Sequence, residues 1–172
     1  AIDPLSLGAT LYVPATRPDL PTSLLSGRHA DLRSVVVCIE DSVRHQDVPL
    51  ALNNLAAFLL DMSAQGDRAA APHIFVRPRD AAMLGHILGF AGIEHIAGFV
   101  IPKATANSLP AYLSVLSHDH HQLMPTLETR EVFDPIEMRR LRDQLRTVHD
   151  RILAIRIGGN DLLQTLGARR SH

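Results

Sequence analysis

Short β-branched runs alternate with longer helical stretches six times along these 172 residues, and this alternation limits the fold more than any other feature. The strand-like runs fall near Thr10–Pro14, Ser34–Glu40, His73–Pro78, Ala97–Lys103, Gln122–Glu128 and Ile152–Gly158. Most are continuously apolar, as in Val35-Val36-Val37 and Ile152-Leu153-Ala154-Ile155. That is the pattern of strands covered on both faces, as in parallel sheets.

The helical stretches carry their own punctuation. Val48 to Ala64 sets Leu52, Leu55, Leu59 and Met62 near helical spacing, with Asp47 as the expected N-cap, Pro49 in the first turn and Gly66 as the stop. Asp134 and Pro135 repeat the device before a helix expected over Ile136–His149. Asp80 is expected to cap a helix running to about Phe90, and Asn107 or Ser108 to cap one with Pro110 in its first turn. Strand and helix in this order make parallel strands joined by right-handed crossovers.

Two architectures fit: an open doubly wound sheet and a (β/α)8 barrel. The first strand leads into Pro14-Ala15-Thr16-Arg17-Pro18-Asp19, without the Gly-rich dinucleotide fingerprint, which counts against a Rossmann domain. Strand starts run from about 11 to about 152, a mean repeat of about 28 residues, so eight units would need about 226, near the length of the barrel fold. The expectation is an α/β fold of the TIM (β/α)8 type, with about six βα units present in a single partial-barrel domain spanning residues 1–172. A sheet left open there exposes two strand edges, so a homo-oligomer is expected.

Composition narrows the class. Hydrophobic residues at 46% and charged residues at 20% suit a folded domain and exclude wholesale disorder. A net charge of -1 gives no electrostatic footprint for nucleic acid or an anionic membrane, and neither is expected as a partner. The single Cys cannot form an internal disulfide, which points to the cytoplasm. Apolar stretches such as Leu55 to Leu60 and Ile96 to Ile101 fall far short of the ~20 residues of a spanning helix. The N-terminal Ala-Ile-Asp-Pro-Leu-Ser has no basic segment followed by an apolar one, so no export signal is read there.

In α/β folds, functional groups gather where strands end. The six ends lead to Arg17, to Glu40 and Asp41, to Arg77 and Arg79, to Lys103, to Glu128, and to Gly158, Gly159, Asn160 and Asp161. The opposite ends read as carrying nothing comparable. Carboxylates from separate strands suit a hard cation such as Mg²⁺, which takes one or two of them and keeps open positions. Arginine suits bidentate binding of a substrate carboxylate. Gly158 and Gly159 would let backbone approach closely, and their N–H groups could hold an anion. The plainer alternative is that these charges are solvated loop residues, with Asp41 and Asp161 serving only as helix caps.

Other residues read as structural. Cys38 lies in an apolar strand with nothing to activate a thiol. The tract His118-Asp119-His120-His121 sits at the wrong rim for the site, His45 reads as a surface residue, and Arg139, Arg140, Arg142 and Arg146 form the solvated face of a helix.

The segments LYVPATRPD, VVVCIEDSV, IFVRPRD, GFVIPKA, LMPTLETREVFD and IRIGGNDLLQTLG, in that order from Leu11 to Gly167, resemble the citrate lyase β-subunit group of the HpcH/HpaI aldolase superfamily. The last two are similar to a divergent C–C bond lyase branch associated with tellurium-resistance and stress gene clusters. The resemblance implies a TIM barrel that cleaves or forms carbon–carbon bonds beside a carboxylate. It implies Glu128 and Asp161 as ligands of Mg²⁺ or Mn²⁺, with no organic cofactor, and Arg77 as the clamp on the substrate carboxylate. Glu40 and Asp41 match the family's second-strand acidic pair, and Arg17 and Lys103 its first- and fourth-strand cations. Two departures stand out: Cys38 replaces the usual acidic residue before the Glu40–Asp41 pair, and Arg79 stands where a small or polar residue is more common.

The activity so implied is a Mg²⁺-dependent lyase of the retro-aldol or retro-Claisen type, acting on a 2-keto or hydroxy carboxylate or its acyl-CoA thioester. Arg77, Glu40 and Asp41 are its catalytic candidates. Arg17, Arg77, Lys103, Gly158 and Gly159 are its substrate-binding candidates. The alternatives are an aldolase of free keto acids in the same superfamily, and a non-catalytic subunit that binds a small anion or a partner.

Overall fold

Six parallel strands lie side by side in chain order: β1 (Thr10–Pro14), β2 (Ser34–Cys38), β3 (His73–Arg77), β4 (Gly98–Ile101), β5 (Gln122–Leu127) and β6 (Arg156–Ile157). The computed structural model describes residues 2–25, 31–65 and 71–168. Helices α1 (Leu20–Leu25), α2 (Val48–Gln65), α3 (Ala81–Ile87), α4 (Leu109–Val115), α5 (Pro135–Arg146) and α6 (Gly159–Thr165) follow the strands in turn. This is the incomplete TIM-type barrel that the alternation predicts.

The alternation of side chains along each strand divides the core in two. On the helix side, Val35, Val37, Ile74, Val76, Phe99 and Ile101 pack with Leu55, Phe58 and Leu59 of α2. On the other side, Val36, Phe75, Val100 and Met124 form a smaller cluster closed by Leu153 and by Leu7 from the 3-10 turn Pro4–Leu7. The second side is concave: Arg156 of β6 donates to the Thr10 hydroxyl of β1 at 3.3 Å, so the outermost strands meet across it. Register sets the inward rows, pairing Tyr12 with Val36, Val36 with Phe75, and Cys38 with Arg77.

Asp80 and Asp134 cap their helices as expected. Asp80 accepts from the Met83 amide at 2.8 Å, and Asp134 from the Ile136 amide at 2.7 Å. Asp134→Ala should lower stability by about 1 kcal/mol, read from the urea midpoint. Asp47 does not cap α2: the 3-10 turn His45–Asp47 runs straight into the helix, and the Asp47 carboxylate accepts from Arg44 Nε at 2.7 Å. Ser108 stands at the N-cap of α4, but its hydroxyl accepts from the Thr105 amide, three residues before it. Gly66 lies outside the described residues.

Several elements are shorter than their sequence suggests: β2 ends at Cys38, α3 at Ile87 and β4 at Ile101. Helix α5 stops at Arg146, where the Thr147 hydroxyl donates to the Gln144 carbonyl at 2.7 Å and competes for the helical acceptor. Strand β6 pairs only through Arg156 and Ile157, with one isolated bridge from Ile152 to Leu123. Its neighbour lies on one side only, so half of its backbone groups have no ladder to join.

The opposite rim is not empty of charge, contrary to expectation. Arg151 donates to the carbonyls of Leu116 (2.9 Å) and His121 and to Asp119 (3.2 Å). The His121 ring bridges Asp119 (2.7 Å) and the Ile93 carbonyl (3.0 Å). This clasp ties the start of β5 to the end of α4 and to the 3-10 turn Ile93–His95 before β4. Among the described residues no helix is long and apolar enough to cross a membrane.

Candidate active site

Arg77 ends β3 pointing into the concave side and is only 8% exposed. Its Nη2 lies 2.8 Å from Glu40, 2.9 Å from Glu128 and 3.4 Å from Asp41. Burial works against the Arg77 charge, but Glu128 and Glu40 outweigh it and hold the guanidinium's pKa above its ordinary value. Lys103 closes the other side of the acids, pairing with Glu40 and, at 3.0 Å, with Asp41. Burial of the Lys103 ammonium is likewise outweighed by these two acids, and its pKa is raised.

The backbone of Lys103 has a second task. With φ at 47°, in the left-handed region that non-glycine residues rarely adopt, its N–H reaches Glu128 Oε1 at 2.7 Å. Glu128 Oε1 is thus held from two directions, by Arg77 and by this amide. Burial pushes the Glu128 carboxyl up, and nearby Asp161 and Glu40 push it further, against the pull of the Lys103 amide and Arg77.

Glu128 Oε2 faces elsewhere. A side-chain carbon placed on Gly158 would sit 2.7 Å from Glu128 Oε2, 2.4 Å from Glu128 Cβ and 3.4 Å from Asp161 Oδ2. Only glycine leaves that gap open. The Gly158 N–H is not free for an anion, because it donates to the Leu127 carbonyl at 2.9 Å; the glycine's contribution is space. Around the gap lies a cavity of about 310 Å³, lined by Tyr12, Arg77, Thr126, Glu128, Arg156, Gly158, Gly159, Asn160 and Asp161.

The donor set fits a magnesium ion. It comprises two carboxylates from successive strand ends, one of them already oriented by its other oxygen. Among the described residues no three acids, histidines or cysteines gather into a closed metal cage. Mg²⁺ needs none, since it takes one or two carboxylates and leaves its remaining positions to water and substrate oxygens.

The other sequence candidates separate by position. Glu40 and Asp41 lie behind Arg77 rather than along the cavity, each engaged by cations. Arg17 is exposed and forms a 2.7 Å ion pair with Asp19, away from the cavity lining. His45 is exposed on its short turn. Arg79 props the connection after β2, donating to the Val43 carbonyl at 2.7 Å. Cys38 is buried and free. Sequence reasoning missed Tyr12, Thr126 and Arg156. Tyr12 and Thr126 lie within their strands and Arg156 opens β6, all short of the rim where the other candidates stand, and only the inward register of β1, β5 and β6 marks them.

A curled parallel sheet with an acid pair, a buried guanidinium and a cavity at its carboxyl ends defines an enzyme barrel of the TIM type. The chain belongs to the family described as C–C bond lyase of the TIM-barrel fold, whose model matches residues 1–172. This family is the C–C bond lyase branch that the last two of the six segments resemble. The solved structures it resembles include the citrate lyase β subunit of M. tuberculosis complexed with oxaloacetate and magnesium, at 21% identity and a TM-score of 0.61, covering 99% of this chain and 67% of that one. The CitE protein of Mycobacterium tuberculosis with magnesium, acetoacetate and coenzyme A matches at 22% identity and a TM-score of 0.60, covering 95% of this chain and 52% of that one. The Haloferax volcanii malate synthase magnesium/glyoxylate complex matches at 16% identity and a TM-score of 0.67, covering 94% of this chain and 54% of that one. At these identities the likeness establishes the fold, and the chain spans about half to two thirds of the length of these proteins. Comparison with curated proteins finds no match.

Proposed function

We propose that this chain forms a single barrel-type domain carrying the active site of a Mg²⁺-dependent lyase, which cleaves a small 2-keto or 2-hydroxy carboxylate by a retro-aldol or retro-Claisen step. The observation that carries the reading is the division of labour within Glu128. One oxygen is fixed by Arg77 and the Lys103 amide, and the other is turned across Gly158 toward Asp161. Glu128 and Asp161 would hold the ion. When bound, the cation supplies positive charge where bond cleavage builds negative charge on an oxygen.

The chain's own residues do the rest. Arg77 and Thr126 line the cavity, and among the described residues the Arg77 Nε and the Thr126 hydroxyl are buried without a hydrogen-bond partner. Such groups are costly to leave unpaired, and a planar substrate carboxylate beside the Arg77 guanidinium would suit its forked donors and fix the scissile bond. Glu40 and Asp41, assigned from sequence to catalysis, here act as counter-charges that position Arg77 and Lys103. Lys103, half exposed beside them, remains the candidate for an incoming substrate oxygen, and Gly159 borders the same cavity.

The volume of about 310 Å³ favours a small acid over a coenzyme A thioester. The solved relatives named with oxaloacetate or coenzyme A support testing both. Calorimetric titration with Mg²⁺, and in parallel Mn²⁺, should show one site in the wild type. Glu128→Gln and Asp161→Asn should each weaken it at least tenfold. Binding unaltered by both changes would dismiss the assignment. Turnover assays on free keto acids and on their thioesters then decide the substrate form. Gly158→Ala should weaken Mg²⁺ binding at least tenfold as well, since the added carbon lands on Glu128.

A further inference from the structure

Among the described residues, Arg156 is the one cation lining this cavity that the arrangement above does not use. The charges around Arg77 answer one another: Glu40, Asp41 and Glu128 face Arg77 and Lys103. Arg156 stands outside that set. Its Nη1 donates to the Thr10 hydroxyl at 3.3 Å and lies 3.8 Å from the Met124 sulfur, and its guanidinium carbon sits 5.3 Å over the Tyr12 ring. Among the described residues no carboxylate pairs with it. A half-buried guanidinium whose partners are a hydroxyl, a thioether and a ring face still has forked donors to satisfy.

Its place in the sheet says what kind of group would satisfy them. Arg156 pairs in register with Thr126, one inward row before Glu128 and Gly158. Two residues along a strand advance roughly 7 Å. The cavity therefore offers two anion-binding levels, one at Arg77 and the Glu128–Asp161 gap and one deeper at Arg156. Burial holds the Tyr12 phenol above its ordinary pKa despite the pull of Arg156 and Arg77, so the ring under the guanidinium stays neutral.

Resting on the lyase reading, we infer that Arg156, seated on Tyr12, is a second anion subsite, and that the substrate is a short dicarboxylate whose far carboxylate it binds. The planar fork of the guanidinium matches a carboxylate edge to edge.

The test uses three 2-hydroxy acids that share one head group: lactate, malate and 3-phosphoglycerate. Each is titrated calorimetrically into the whole chain with Mg²⁺ present. Malate should bind at least tenfold more tightly than lactate. Arg156→Gln should bring malate to within about twofold of lactate while leaving lactate unchanged, which also certifies that the variant is folded. Arg156→Lys should recover part of the difference. Equal affinity of wild type for malate and lactate, or a preference that survives Arg156→Gln, overturns the subsite while the lyase reading stands on lactate binding. Stronger binding of 3-phosphoglycerate than of malate overturns the carboxylate assignment. Failure of all three acids to bind overturns the lyase reading and this inference together.

Discussion

Arg77→Met should destabilise the fold by about 3–5 kcal/mol and abolish binding of carboxylate ligands. The reason is burial: the side chains of Arg77, Glu40 and Glu128 are 9%, 7% and 2% exposed. Removing the cation leaves Glu128, among the described residues, with one backbone amide as its only neutralising contact, whereas Glu40 keeps Lys103. The loss should therefore be concentrated on Glu128. Glu128→Gln in the Arg77→Met background should recover part of it, because the isolated buried charge is gone. Urea denaturation of the two single variants and the double variant measures the coupling. Strict additivity would mean that Arg77 and Glu128 do not depend on each other as the geometry requires.

Phe75→Ala should also cost about 3–5 kcal/mol, with a second consequence that an ordinary core substitution lacks. Phe75 is fully buried, faces the concave side with Val36, Val100 and Met124, and precedes Arg77 by one inward row. The vacancy would open directly beneath the guanidinium. Phe58→Ala is the control: that ring is equally buried, but on the helix side of the sheet. Both variants should lose similar stability by chemical denaturation. Only Phe75→Ala should weaken carboxylate binding in the calorimeter. Equal weakening by both would mean that the inner layer does not support the site in particular.

Much of the fold was legible because runs such as Ser34–Cys38 are apolar without interruption, and five of the six strands form where such runs occur. The sixth misleads: Ile152 to Ile155 looks like a strand, but Ile152 makes only an isolated bridge to Leu123, and the ladder holds only where Arg156 and Ile157 meet Thr126 and Leu127. The acids and Arg77 were singled out by rule, since strand ends are where chemistry collects. What each does was not legible. Sequence shows that Glu128 and Asp161 lie 33 positions apart, but not that a glycine keeps a gap between them or that Lys103 bends its backbone to hold one oxygen. Tyr12, Thr126 and Arg156 escaped because a polar residue short of the carboxyl rim has no assigned face until register and curvature are known.

The strictly sequential strand order has a consequence for biogenesis. Every strand bonds to the one synthesised just before it, so a chain emerging from the ribosome at roughly 5–20 residues per second can dock each unit as it appears. Glu40, Asp41 and Arg77 are translated before Glu128 and Asp161 exist. The nascent chain thus carries Arg77 with its Glu40 and Asp41 counter-charges before Glu128 and Asp161 appear, and those two acids reach one cavity only when the sixth unit has come to rest.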